Sequence, residues 1–141
     1  ALNDIKVEQP KLKQLAVIGF CFGGRLAYLS GLAGEVSKIV SFYGAGAHTE
    51  NYLDDKSPIT ALCDKRKNDK QLKVLSFYGN QDGSISTDDQ TKTKQQLESA
   101  GIKYQAKVYD AGHAYFQPGR PNYNESASAS SWKDLEVFLT E

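Results

Sequence analysis

Methionine is absent from all 141 residues, position 1 included. An unprocessed translation product begins with one, so the chain is expected to be a processed piece or part of a longer protein. Cysteine is scarce: Cys21 and Cys63 are too few for a disulfide framework and lack metal-ligand spacing. With only two histidines, a His-rich zinc site is not expected either. Charge of one sign is missing too. Seventeen basic and seventeen acidic side chains cancel, so there is no electrostatic footprint for nucleic acid or an anionic membrane. No apolar run approaches the roughly 18 residues a membrane helix needs, and the cytoplasm is the expected compartment. What remains, 40% hydrophobic and 24% charged, suits one domain over residues 1–141 with a workable core.

Residues 1 to 13 read as a polar lead-in or the remnant of a helix. Leu15-Ala16-Val17-Ile18-Gly19-Phe20 is a continuous apolar run, the pattern of a strand in a parallel sheet covered by helices. Ile39 to Tyr43 and Val74 to Tyr78 repeat it, both closing in Ser-Phe-Tyr-Gly, as neighbouring strands ending at one rim would. Tyr104 to Tyr109 alternates more and is expected nearer an edge.

Helix-sized stretches lie between. Phe22 to Leu32 has Gly34 as its expected stop. Asp88 to Ala100 has Ser86 or Thr87 as N-cap and Gly101 past its end. Asn124 caps a last helix whose Trp132, Leu135 and Leu139 should share one face. Ala45 to Lys73 is irregular, with room for a short helix. The expected fold is α/β: a mostly parallel sheet of about four strands with flanking helices and right-handed crossovers.

Gly19-Phe20-Cys21-Phe22-Gly23-Gly24 follows a strand and opens a helix, the context of a nucleophile elbow with cysteine in place of serine. Glycines at Gly19 and Gly23 are expected because the sharp turn leaves no room for a Cβ. The helix N-terminus beneath the sulfur favours thiolate, and the Phe22 N–H becomes half of an oxyanion hole. The pattern alone serves equally well as a glycine-rich turn around an inert cysteine. Two more residues are placed to complete a triad in the order nucleophile, acid, histidine: Asp82 after the third strand and His113 after the fourth. Both fall past the carboxyl ends of strands, where open α/β sheets build their sites.

There are rivals. His48 also follows a strand, as a surface histidine, a substrate contact or an alternative base. Asp88 and Asp89 suit a helix N-terminus, Asp110 its turn, and Cys63 an ordinary half-buried thiol. A Cys21–Cys63 disulfide is conceivable. The Tyr78 to Asp89 stretch only faintly resembles a calcium loop, with tyrosine at the first ligand position.

Gly19 to Gly24, Gly79 with Asp82, Tyr109 to Tyr115, and the tail from Arg120 through Leu135 together resemble the dienelactone hydrolase (carboxymethylenebutenolidase-like) family of the α/β-hydrolase superfamily. The resemblance implies a partial α/β-hydrolase fold and a Cys21–His113–Asp82 triad. It also implies hydrolysis of a small ester or enol lactone without cofactor or metal. Family chains begin well before the elbow, so this one is expected to be a carboxyl-terminal part with weak turnover. Its elbow strand would then be an exposed edge, open to pairing with another copy. Some members hold a substrate carboxylate with an arginine four residues after the histidine; Gln117 stands there, with Arg120 nearby. The alternatives are a non-catalytic module self-associating through that edge and a redox-sensing thiol at Cys21.

Overall fold

The computed structural model describes residues 4, 5, 8, 9, 14–49, 51 and 55–141. Most of the lead-in anticipated over residues 1 to 13 lies outside them. Strands and helices alternate from there: β1 (Leu15–Phe20), α1 (Phe22–Ser30), β2 (Val36–Phe42), α2 (Pro58–Lys65), β3 (Lys73–Gly79), α3 (Thr87–Ser99), β4 (Lys103–Tyr109) and α4 (Glu125–Thr140). All strand pairs are parallel and the spatial order is β1-β2-β3-β4. Ser41 and Phe42 stand level with Ser76 and Phe77, so the two Ser-Phe-Tyr-Gly segments do end side by side.

Period-two alternation splits the core between two faces. Ile39 and Val74 point to the side covered by Tyr28 of α1, Leu62 of α2 and Leu97 of α3. Val40 and Leu75 point to the other side, under Leu135 and Phe138 of α4. β2 and β3 are thereby buried on both faces. Among the described residues β1 lies at an edge of the sheet, and it leaves Ile18 and Phe20 about two-fifths exposed.

Capping chemistry fixes three helix starts. Ser57 caps α2 with Pro58 at its first position, Asn124 caps α4, and Ser86 caps α3 in a reciprocal capping box with Asp89. α1 ends earlier than its sequence suggests, at Gly31 rather than near Gly34. The cause lies outside the helix: the buried Arg66 guanidinium donates to the carbonyls of Gly31, Ala33 and Val36 and turns the chain there. A Cβ at Gly31 would also strike Ile39 and Leu62. At the other end of the fold, the buried Lys38 donates to Leu139 O at 2.7 Å, a cation on the closing turn of α4.

Trp132 departs from the expected inner face of α4. The buried positions are Ala127, Ser131, Leu135 and Phe138, four, four and then three apart. Trp132 sits on the flank, about half exposed, its Nε1–H donating to Glu136 and its ring against Phe116. Among the described residues no helix is long and apolar enough to cross a membrane.

Candidate active site

The turn between β1 and α1 is strained where its chemistry would be. Cys21 has φ 54° and ψ −121°, a left-handed conformation that a side-chain-bearing residue adopts at a cost of about 1–3 kcal/mol. Two more such residues, Tyr43 (φ 40°) and Ala114 (φ 60°), stand at the same rim. Cys21 N–H donates to Phe42 O at 2.9 Å, tying the elbow to the end of β2. The close approaches confirm the need at Gly19, where a Cβ would lie 2.0 Å from Gly23 O. They correct the expectation at Gly23, whose Cβ would meet nothing within 4 Å. The second constrained glycine is Gly24, which would press on Phe42 O at 2.7 Å as α1 crosses β2.

Main-chain bonds bring the two later loops together. Asn80 N–H donates to Tyr109 O and Gln81 N–H to Ala111 O, stitching the turn after β3 to the loop after β4. Gly79 permits the approach, since a Cβ there would stand 2.1 Å from Ala111 O. Asp82 and His113, one on each loop, consequently meet. His113 Nδ1 lies 2.7 Å from Asp82 Oδ2, and His113 Nε2 lies 3.1 Å from Cys21 Sγ.

The partners fix the tautomer. A carboxylate only accepts, so Nδ1 carries the hydrogen and Nε2 presents its lone pair to the thiol. The Asp82 side chain is almost wholly buried, against 30% exposure for His113, so the carboxylate needs its donors. Ser84 supplies two of them, through its N–H and its hydroxyl, both to Oδ1.

Phe22 is the first residue of α1, directly after Cys21. Cys21 itself is exposed. It lies between two concavities. One, of about 440 Å³, is bordered by Phe22, Arg25, Gln81, Ser84 and Asn122; the other, of about 380 Å³, by Phe20, Tyr43, Gln117, Arg120 and Asn122. Cys21 and His113 border both. The Tyr43 ring meets the imidazole edge-on at 5.2 Å between centroids. Burial, and then the negative charge available to Cys21, push the Tyr43 hydroxyl up to about 12, so it stays neutral beside the pair.

The rival residues lie elsewhere. His48 Nδ1 is 3.5 Å from Asp89 Oδ1, at the start of α3. Asp110 accepts from the Gln81 amide at 2.8 Å. Cys21 and Cys63 are both free thiols, not a disulfide. Burial, and after it the nearby Asp64, push Cys63 up to about 11. Among the described residues no group of three or more His, Cys, Asp and Glu side chains could hold a metal.

Sequence reasoning overlooked Ser84, Asn122 and Tyr43. Ser84 had a signal, since Asp-x-Ser favours a turn in which the acid bonds the residue two further on. Asn122 Nδ2 donates to His113 O at 3.1 Å from nine residues away, which no local pattern announces.

The family model for the dienelactone hydrolase family matches residues 1–141. This chain belongs to the dienelactone hydrolase family. Among curated relatives of this family member, a Synechocystis protein named "Putative carboxymethylenebutenolidase" is 35% identical over 93% of the chain and 52% of its own length. A Salmonella typhimurium protein of the same name is 31% identical over 91% of the chain and 46% of its own length. The chain spans about half the length of the curated relatives it matches. A solved structure titled "Putative Dienelactone Hydrolase", from Klebsiella pneumoniae, superposes with a TM-score of 0.77 at 27% identity, covering 90% of this chain and 52% of the other.

Proposed function

We propose that the chain carries the reacting groups of a cofactor-free hydrolase acting on activated ester or enol-lactone bonds. Cys21 is the nucleophile, His113 the base and later the acid, Asp82 the group that orients the imidazole, and the Phe22 N–H an oxyanion donor. One observation carries the reading: an unbroken run of contacts from Asp82 through His113 to Cys21, 2.7 and 3.1 Å long.

In this scheme His113 Nε2 takes the Cys21 proton, and the thiolate forms a bond to the carbonyl carbon. The displaced electron pair moves onto oxygen, where the Phe22 N–H receives it. The C–O bond to the leaving group breaks as His113 returns its proton to that oxygen. Water then gives a proton to His113 and attacks the thioester, releasing acid and restoring the thiol. Asp82 faces the positive imidazolium in both halves without taking its proton.

The sulfur selects the substrate class. A thiolate leaves more readily than an alkoxide, so an ordinary ester's tetrahedral intermediate collapses backward. An enol lactone or aryl ester releases a stabilised oxyanion and goes forward. The two concavities flanking Cys21 are sized for small molecules. Arg120, whose Nε donates to Gln117 at 3.3 Å on the rim of the second, offers a counter-ion to a substrate carboxylate. Removing one oxyanion donor costs about 10²–10³ in rate. In this scheme the Phe22 N–H contributes a factor of that order. An activated aryl ester assayed with wild type and Cys21→Ala is the test, and equal rates would refute the assignment.

A second reading draws on β1, which pairs on one side with β2 and leaves Ile18 and Phe20 partly exposed at the sheet edge. Such an edge can add a strand from a second copy, making the chain a self-associating module. A strictly monomeric light-scattering mass at high concentration contradicts it.

A further inference from the structure

We infer that Ser84 is a positioning residue for this relay, its hydroxyl bracing the Asp82 carboxylate and the His113 Nδ1–H against each other. The inference rests on the reading of Cys21, His113 and Asp82 given above and adds a fourth side chain to it.

Both Ser84 donors converge on one oxygen. Its N–H reaches Asp82 Oδ1 at 2.9 Å and its hydroxyl reaches the same atom at 2.5 Å. Oδ2 is thereby turned to His113, at 2.7 Å. Rotating the carboxylate would break both Ser84 bonds. The hydroxyl oxygen also stands 3.2 Å from His113 Nδ1. A hydroxyl has one hydrogen and two lone pairs. With the hydrogen committed to Oδ1, a lone pair faces the imidazole, so Nδ1–H is shared between Oδ2 and the Ser84 oxygen. Both contacts hold the hydrogen on Nδ1 and favour the imidazolium formed when Nε2 takes the Cys21 proton. Ser84 touches no sulfur and no reacting carbon; it acts through Asp82 and His113. A merely structural role would need only the backbone N–H, which closes the turn without the hydroxyl.

Other ionisable groups stand near the relay. The Arg25 and Arg120 side chains border the two concavities, one each. Tyr43, pushed up to about 12, remains neutral. Asp110, across the loop, is engaged by Gln81.

The test is the rate of Cys21 alkylation by iodoacetamide, followed by peptide mass spectrometry so that Cys63 is scored separately. It compares wild type, Ser84→Ala, Ser84→Thr and Asp82→Asn. Near pH 6 the thiolate depends on the imidazole accepting the proton, whereas near pH 9 an ordinary thiol ionises unaided, its pKa being about 8.5. We expect Ser84→Ala to slow alkylation about tenfold near pH 6, the scale of a lost charge-assisted hydrogen bond, and to leave the rate near pH 9 unchanged. Ser84→Thr should restore the wild-type ratio, since Ser84 is exposed and a methyl group has room. Asp82→Asn should lower the ratio further. If Asp82→Asn changes the ratio and Ser84→Ala does not, the Ser84 inference falls and the relay stands. Failure of Ser84→Thr to restore the ratio also overturns it. If neither Asp82→Asn nor Ser84→Ala changes the ratio, the relay itself falls.

Discussion

His113 Nε2 stands 3.1 Å from Cys21 Sγ although 92 positions separate the two residues in the chain. Each side chain reaches that point from the carboxyl end of its own strand, the elbow after β1 and the loop after β4. The parallel order of the sheet puts those ends on one rim. The main-chain stitching between the two later loops sets Asp82 against His113 on that rim.

Asp82→Asn should keep the fold and lose the chemistry. An asparagine amide turned to His113 Nδ1 can donate a hydrogen, which would place the imidazole hydrogen on Nε2, facing Cys21. Ester hydrolysis is expected to fall by about 10²–10⁴ with KM nearly unchanged. Steady-state kinetics, with far-UV circular dichroism as the fold check, would read this. A loss confined to KM would contradict it.

The two adjacent glycines of α1 should respond in opposite directions. Gly24→Ala forces a methyl group against Phe42 O and Gly44, at an expected cost of about 1–3 kcal/mol. Gly23→Ala meets open space in a helix and should stabilise by up to about 1 kcal/mol. Urea denaturation of the two variants decides it. The contrast would not arise if the elbow needed glycine at both places.

The capping box of α3 makes a pH-dependent contribution to stability. Hydrogen bonds from Ser86 hold the Asp89 carboxyl below its ordinary range, aided by His48 and Lys92. A depressed folded-state value means the contribution is present above the unfolded carboxylate range and is lost as pH falls through the folded value. Ser86→Ala should cost about 1 kcal/mol at neutral pH. The difference from wild type should shrink on acidification below about pH 4. Thermal denaturation against pH measures this, and a gap that does not vary with pH would count against the box.

Much of this fold was legible because its signals are local. Unbroken apolar runs marked β2 and β3, which are covered on both faces, and β1, which is not, and Ser86 and Asn124 marked helix starts through bonds spanning three residues. The candidate triad was legible for a topological reason: parallel strands deliver the loops at their carboxyl ends to one side of the sheet. The misread features depend on what packs alongside. Gly24 is constrained by β2, not by its own turn, and α1 stops where Arg66 arrives from 35 residues away. Trp132 obeys the same rule, since its periodicity suited the core but its indole found Glu136 and Phe116 at the surface.

The central claim is that Cys21 takes the acyl group with His113 as its base. The most direct measurement mixes the chain with slightly less than one equivalent of an activated aryl ester, quenches within the first turnover, and maps the acyl group by peptide mass spectrometry. The account predicts the acyl group on Cys21, none on Cys63, and acylation at neutral pH slowed at least about 10²-fold in His113→Ala. An acyl group found on another residue, or a release of phenol unchanged by Cys21→Ala, would contradict it.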